Sequence, residues 1–446
     1  MSSYFVHNFG CRATQADGAA LERRLLESGM QCAQDAGRAD VVVLNSCTVT
    51  ASADRDVRAA IRRIHRENPG CRILVTGCYA QRAPEELVHL PGVSWVVGNS
   101  HKHRVAEILQ SNTRAHSFVS LAEVRPADAE IFVGDIFAHT ELLAAPVFEA
   151  RIHSEKTRPN LKVQDGCDNR CSFCVIPSVR GQSRSLPRAE VMREVRALVD
   201  AGYREVVISG INLGRWGRDF VRQERFEDLV RAVLDETRLE RLRLSSIEPM
   251  DWTDELIALV ADSPRIAKHV HAPLQSGSDR ILRAMHRKYR PWHYAERVRK
   301  VRARMPLAAI GGDVMAGFPG ETDALFEENR AFIDSLPFTY LHVFTFSARP
   351  GTPAATLPGQ VPVHIARRRN RILRDLADAK NLAFRQSLVG VTLDAITLGD
   401  RDSESTEAIT DNYLKVRVRG RHAANRWRRV RVEGLSGDVL LGIAVL

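Results

Sequence analysis

Several absences narrow the field for this chain of 446 residues before any motif is considered. No apolar run approaches the ~18 residues that a membrane span requires, so a membrane helix is not expected. The opening stretch "MSSYFVHNFGCRATQADG" lacks a basic segment followed by an apolar one, which argues against a secretory signal and for a cytoplasmic location. In that reducing compartment the eight cysteines are better read as metal ligands or catalytic groups than as disulfides. No Gly-Lys-Ser/Thr follows the glycines of "GINLGRWG", so they do not form a phosphate-cradling loop. Acidic residues are in deficit, 54 against 64 lysines and arginines, and the net charge of +10 favours an anionic partner, nucleic acid first. The most telling absence follows "DGCDNRCSFC": Cys167, Cys171 and Cys174 stand within eight residues, with no fourth cysteine or histidine nearby.

The length exceeds one ordinary core, so two or three domains are expected. Over the first hundred residues short apolar runs alternate with amphipathic stretches. "YFVHNFG", "ADVVVLNSC", "RILVTGC" and "VSWVVGN" read as strands, with helices over Gln15–Ser28 and Ser52–Asn68. This alternation predicts a parallel sheet flanked by helices. Cys11, Cys47 and Cys78 fall at or just past strand C-termini, the ligand-binding edge of an open parallel sheet, so three cysteines distant in sequence are expected to meet. Residues 116–152 read as a connector with a short strand at "EIFVGDIF".

From residue 153 to 385 six strand candidates, from "LKVQDG" to "YLHVFTFS", alternate with helical stretches. They predict an open (β/α)6 barrel with its site at the strand C-termini. A basic helix over Arg367–Gln386 then leads into a small all-β module, 386–446, expected to close as a small barrel. In it "YLKVRVRGR" sets Lys415, Arg417, Arg419 and Arg421 on one strand face, and Arg426, Arg428, Arg429 and Arg431 follow. With Tyr413 and Trp427 nearby, that stripe fits an RNA-binding platform better than an ordinary solvated face, Lys415, Arg417, Arg419, Arg428 and Arg429 being the candidate contacts.

Three close thiols admit two metal readings. A cuboidal 4Fe–4S cluster held by three cysteines keeps one iron open for chemistry. A zinc ion accepts three cysteines and a distant histidine. The position of the triplet, after the first strand of a β/α barrel, favours the cluster. "CDNRCSFC", with Phe173 before its last cysteine, resembles the signature of radical S-adenosylmethionine enzymes. "GCRATQ", "NSCTVT" and "VTGCYAQ" resemble the cysteine motifs of the methylthiotransferase N-terminal domain. "SSIEP", "PLQSGSDRILRAMHRKY", "GGDVMAGFPGET" and "LHVFTFSARPGTPAA" resemble motifs of the same family's barrel, and the last module is similar in position and basicity to its TRAM domain. The chain thus resembles the radical S-adenosylmethionine methylthiotransferase family, with a methylthiotransferase N-terminal domain over 1–115.

That resemblance implies two 4Fe–4S clusters, one on Cys167, Cys171 and Cys174 and one on Cys11, Cys47 and Cys78. It implies two S-adenosylmethionines per turnover, one as methyl donor and one as source of a 5′-deoxyadenosyl radical. An adenine C2–H is neither acidic nor attached to a leaving group, so hydrogen abstraction opens a route that polar substitution lacks. Phe173, Ser209, Gly210, Asn212, Glu248, Gln275 and Ser276 are the candidate S-adenosylmethionine contacts, although Ser209, Gly210 and Asn212 also suit an ordinary βα turn and Glu248 the start of a helix. Cys32 and Cys71 match no motif and read as structural. The "GFPGE" glycines read as turn chemistry. The family modifies tRNA adenosine beside the anticodon or an aspartate of a ribosomal protein. "NSCTVT", "SGINLGRWG" and "RLSSIEP" look most like the branch acting at C2 of N6-threonylcarbamoyladenosine, position 37, in the tRNA anticodon stem-loop. Isopentenyladenosine tRNA and the ribosomal aspartate remain alternatives, as does a non-catalytic zinc RNA-binding protein. Arg180 or Arg215 is expected to meet the threonylcarbamoyl group. A flavodoxin- or ferredoxin-type electron donor, a sulfur source and a monomeric chain complete the expectation.

Overall fold

The computed structural model describes residues 2–113, 129–138, 158–400 and 404–445. It divides into two compact units: Met1–Pro146 with Asn160–Leu186 and Ser347–Ala355, and Val147–Pro159 with Pro187–Phe346 and Thr356–Leu446.

The first unit is built on a six-stranded parallel sheet, β1 (Ser3–Asn8), β2 (Gln31–Cys32), β3 (Val41–Ser46), β4 (Arg72–Gly77), β5 (Val93–Gly98) and β6 (Glu130–Phe132), in the order β2-β1-β3-β4-β5-β6. The sheet is covered on both faces, which is why its central strand is a continuous apolar run. Alternate residues of β3 go to opposite sides. Val42 and Leu44 pack with Val57, Ile61 and Ile64 of the helix Ala51–Glu67, while Val41 and Val43 pack with Leu21, Leu25, Ile108 and Leu109. Each such side chain contributes about 1.5–3 kcal/mol by burial. The short strand expected in "EIFVGDIF" is β6, added at the sheet edge beside β5. The same unit carries β7 (Asn160–Asp165) and the two-residue β8 (Arg184–Ser185), an antiparallel pair enclosing the Cys167–Cys174 loop.

In the second unit, β9 (Glu205–Gly210) and β10 (Arg241–Leu244) pair in parallel, as do β11 (His269–His271), β12 (Ala309–Ala316) and β13 (Tyr340–Thr345). Helices separate these strands in sequence, so β7 and β9 to β13 supply the six β/α repeats that the sequence predicts. "AKHVHAPL" forms only three strand residues, because Pro273 and Gln275, whose φ is +65°, interrupt the ladder. The helix Val363–Gln386 begins four residues earlier than expected and leads to a closed barrel of β14 (Thr392–Asp400), β15 (Ser405–Thr410), β16 (Lys415–Arg419), β17 (Trp427–Ser436) and β18 (Val439–Val445). Its interior holds Ala395, Ala408, Val416, Val418, Val430, Val432 and Leu440. Among the described residues no helix is long and apolar enough to cross a membrane.

Candidate functional site

The first unit gathers both cysteine triplets. Cys11 follows β1 and stands at the N-cap position of the helix Arg12–Glu27. Cys47 follows β3, and Cys78 follows β4 and opens the short helix Cys78–Arg82. The β1–β3–β4 register therefore sets three strand ends side by side. Gly10, at φ +96°, is required there: a Cβ on it would lie 2.7 Å from the Cys47 Sγ. The Cys11 Sγ lies 3.5 Å from the Thr14 hydroxyl, and the Asn99 amide donates to the Cys78 Sγ at 3.5 Å. Burial, then the neighbouring Cys78 and Cys11, push the Cys47 thiol up to about 12. Three thiols gathered at one sheet edge are the donor chemistry of a metal cluster.

The second triplet is local. Gly166, at φ +70°, lets the chain fold so closely that a Cβ would sit 1.8 Å from the Gln182 carbonyl oxygen. Cys167 N–H donates to Gly181 O, Cys174 N–H to Cys171 O, and Asn169 N–H to the Cys167 Sγ. All three cysteines are half-buried, as is Phe173. The following helix Ile176–Arg180 sets Val175 and Val179 against Cys78, so apolar packing reaches from this loop to the first triplet. Among the described residues neither triplet brings its thiols within 4.8 Å of one another.

Between the triplets lies a buried charge network that the sequence did not reveal. Asp17 receives Lys102 at 3.0 Å, Arg180 at 3.0 Å and Lys162, while Asp165 receives Lys162 at 2.7 Å and Arg180 at 2.9 Å. Three cations against two carboxylates leave one net positive charge, and the Arg180 charge reaches Cys78, Cys11 and Cys47. Burial opposes ionisation of Asp17, but Lys102, Lys162 and Arg180 outweigh it and hold its carboxyl well below the usual range. A buried positive charge next to thiolates stabilises an anionic cluster in a medium of low dielectric constant. Arg180 is thus committed to two carboxylates at 2% exposure, which corrects the expectation that it meets the substrate. Arg215 is engaged with Asp251 at 2.9 Å. A second cluster joins motif residues far apart in sequence. Thr48 and Asp54 receive Arg82 and Arg349, and Ala354 N–H donates to Ser172 O beside the loop cysteines. "ARPGTPAA" thereby braces both triplets.

In the second unit the remaining candidates fall at the C-terminal ends of parallel strands. Ser209 and Gly210 end β9 and Asn212 follows; Glu248 follows β10; Gln275 and Ser276 follow β11. Among the described residues the Ser209 Oγ is buried with no hydrogen-bond partner. Gln275 holds positive φ without being glycine, a strain that persists where surrounding contacts enforce it. Here the Gln275 N–H donates to Asp313 O and its carbonyl accepts from Met315 N–H. The Ser276 Oγ accepts from Ser278 N–H, and Glu248 is paired with Arg287. Gly317 and Gly320 adopt positive φ, so "GFPGE" is turn chemistry.

On the C-terminal barrel, Lys415, Arg417 and Arg419 alternate outward against buried Val416 and Val418. Arg429 is exposed, but Arg428 has the parity of buried Val430 and Val432 and is half-buried against His422. The expected aromatic partners are occupied elsewhere: Arg241 lies 4.0 Å over the Trp427 ring, whose N–H donates to Glu240, and Tyr413 packs on His269 under Arg243. Both half-buried rings dock the barrel on its own unit. Cys71 is buried, whereas Cys32 is exposed on the edge strand β2, so Cys32 does not serve packing.

Two family models match the chain: that described as uncharacterized protein family UPF0004 over residues 3–98, and the radical SAM superfamily over residues 161–333. Among solved structures, the radical S-adenosylmethionine methyltransferase TsrM from Kitasatospora setae shares the fold with a TM-score of 0.55 at 16% identity, over 79% of this chain and 74% of that one. These define a radical S-adenosylmethionine enzyme with an added N-terminal α/β domain. A threonylcarbamoyladenosine tRNA methylthiotransferase MtaB of Aquifex aeolicus is 35% identical over 94% of this chain and 98% of its own. A tRNA-2-methylthio-N(6)-dimethylallyladenosine synthase of Novosphingobium aromaticivorans is 34% identical over 88% and 86%. The chain belongs to the family of threonylcarbamoyladenosine tRNA methylthiotransferases, and membership implies 4Fe–4S chemistry and S-adenosylmethionine.

Proposed function

We infer that this protein inserts a methylthio group at C2 of N6-threonylcarbamoyladenosine at tRNA position 37, working as a radical S-adenosylmethionine transferase in the cytoplasm. The observation that carries this reading is the gathering of six motif cysteines into one compact unit, in a chain 35% identical to such an enzyme over 94% of its length. In this reading Cys167, Cys171 and Cys174 hold one cluster and Cys11, Cys47 and Cys78 a second, over domains 1–115, 153–385 and 386–446. When bound, the two clusters and two S-adenosylmethionines per turnover supply hydrogen abstraction, methyl transfer and the sulfur. Phe173, Ser209, Gly210, Asn212, Glu248, Gln275 and Ser276 bind and orient the cofactor. Arg180, Lys102 and Lys162 offset the thiolate charge of the first triplet. Lys415, Arg417 and Arg419, with Arg429 and the half-buried Arg428, hold tRNA phosphate, and Arg417 and Arg419 line an open depression with Glu404, Ser405 and Glu433. An electron donor of the flavodoxin or ferredoxin type and a sulfur source act from outside a monomeric chain.

The test is nucleoside mass spectrometry on tRNA from a host that makes threonylcarbamoyladenosine but not its methylthio form, expressing this chain or its Cys167→Ala variant. A methylthio-threonylcarbamoyl peak that vanishes in the variant is expected. A methylthio-isopentenyl peak in its place moves the substrate to the second branch.

A further inference from the structure

Three parallel strands of the second unit bring together a donor set that none of the cysteine chemistry uses. His271 ends β11, Asp313 lies within β12 and His342 within β13. Asp313 and His342 are direct register partners, and His271 pairs with Gly311 two positions before Asp313. Side chains two apart on a strand share a face, so all three project to one side of the sheet. The His342 Nδ1 lies 3.2 Å from the Asp313 Oδ1, the His271 Nε2 lies 3.4 Å from the same oxygen, and the three donor atoms fall within 4.8 Å of one another.

Hydrogen bonding accounts for only part of this arrangement: the His342 Nδ1 shares a hydrogen bond with the Asp313 Oδ1. His271 is 8% exposed, and among the described residues its Nε2 completes no hydrogen bond, with the Asp313 Oδ1 facing it at 3.4 Å. Its ring is nonetheless held in place: Tyr340 stacks at 5.9 Å on His271 and at 5.8 Å on His269, and donates or accepts one hydrogen bond with the His269 Nε2 at 2.7 Å. His342 is exposed, which leaves a path from solvent.

We propose that His271 Nε2, Asp313 Oδ1 and His342 Nδ1 form a site for a divalent transition-metal ion, zinc by preference, separate from the cysteine centres. Two imidazoles and a carboxylate are a recurrent donor set for such ions. Ligands at 2.0–2.1 Å on a tetrahedral zinc stand about 3.3–3.4 Å apart, a separation close to the 3.2 and 3.4 Å found here. Three protein donors leave the fourth position, on the exposed His342 side, to water or another oxygen donor.

The experiment uses the full chain, purified anaerobically with its iron, equilibrated with Zn(II) and desalted. Metal content is read by mass spectrometry and the zinc shell by X-ray absorption. One zinc per chain is expected, with a nitrogen and oxygen shell at about 2.0–2.1 Å. His342→Ala, at an exposed position, and Asp313→Asn should each lose that zinc while iron content and circular dichroism stay unchanged. A sulfur shell at about 2.3 Å would show zinc on cysteines and overturn the proposal. So would zinc well below one per chain, or zinc retained in both variants.

Discussion

Cys11, Cys47 and Cys78 reach their common edge from three strand ends spread over the first unit, whereas Cys167, Cys171 and Cys174 occupy one eight-residue loop. The first triplet exists only when the β1–β3–β4 register is correct and the helix Arg12–Glu27 is seated. The second needs little beyond the turn at Gly166 and the backbone bond from Cys167 to Gly181. Equal donor chemistry thus rests on unequal support: one centre depends on tertiary structure, the other mainly on local geometry. The charge network links them, because Asp17 lies on the helix that starts at Cys11 and Arg180 on the helix that follows Cys174.

The comparison breaks most completely at the cysteines. Cys47→Ala and Cys171→Ala should each abolish methylthio product in the tRNA assay, because the proposed function uses both centres in one reaction. Asp17→Asn should come next. It leaves Lys102, Lys162 and Arg180 buried with one carboxylate fewer, at a cost of about 3–5 kcal/mol, and denaturant unfolding should show it. If the support is unequal, iron bound by the first triplet should fall further than iron bound by the loop. The same carboxylate gives a pH signature. Its folded pKa is depressed, so its contribution is complete above the unfolded value of about 4 and is lost as pH falls below it towards the folded value. Wild-type melting temperature should therefore drop more steeply below pH about 4 than that of Asp17→Asn. Gly10→Ala forces a Cβ into the Cys47 side chain and should cost about 1–3 kcal/mol, with loss of iron confined to the first triplet. The smallest effect is expected on the C-terminal barrel. Arg417→Ala should weaken tRNA binding evenly across sequences and lower the salt dependence by about one unit.

What was legible in the sequence followed the same division. The loop triplet could be read from spacing alone, and the strand-end triplet from apolar runs that stop at cysteine, as in "ADVVVLNSC". The alternation of Lys415, Arg417 and Arg419 with valine gave the face of β16. The charge network was not legible, since Asp17 in "TQADGAA" looks like a solvated helix position and its partner Lys102 is 85 residues away. Nor were the docked positions of Tyr413 and Trp427, whose neighbours Arg243, Arg241 and Glu240 come from another part of the chain. His271, Asp313 and His342 meet only through parallel register, which no local pattern records.

The central claim is that the two triplets hold separate centres with separate tasks, and it is tested most directly by iron content and S-adenosylmethionine cleavage in paired variants. The Cys11/Cys47/Cys78→Ala and Cys167/Cys171/Cys174→Ala proteins would be reconstituted side by side with wild type. The account predicts about eight irons in wild type and about four in each variant. Reductive cleavage of S-adenosylmethionine should survive in the first variant and vanish in the second. Cleavage that survives loss of the loop cysteines, or iron that is lost altogether from either variant while the fold persists, would contradict it.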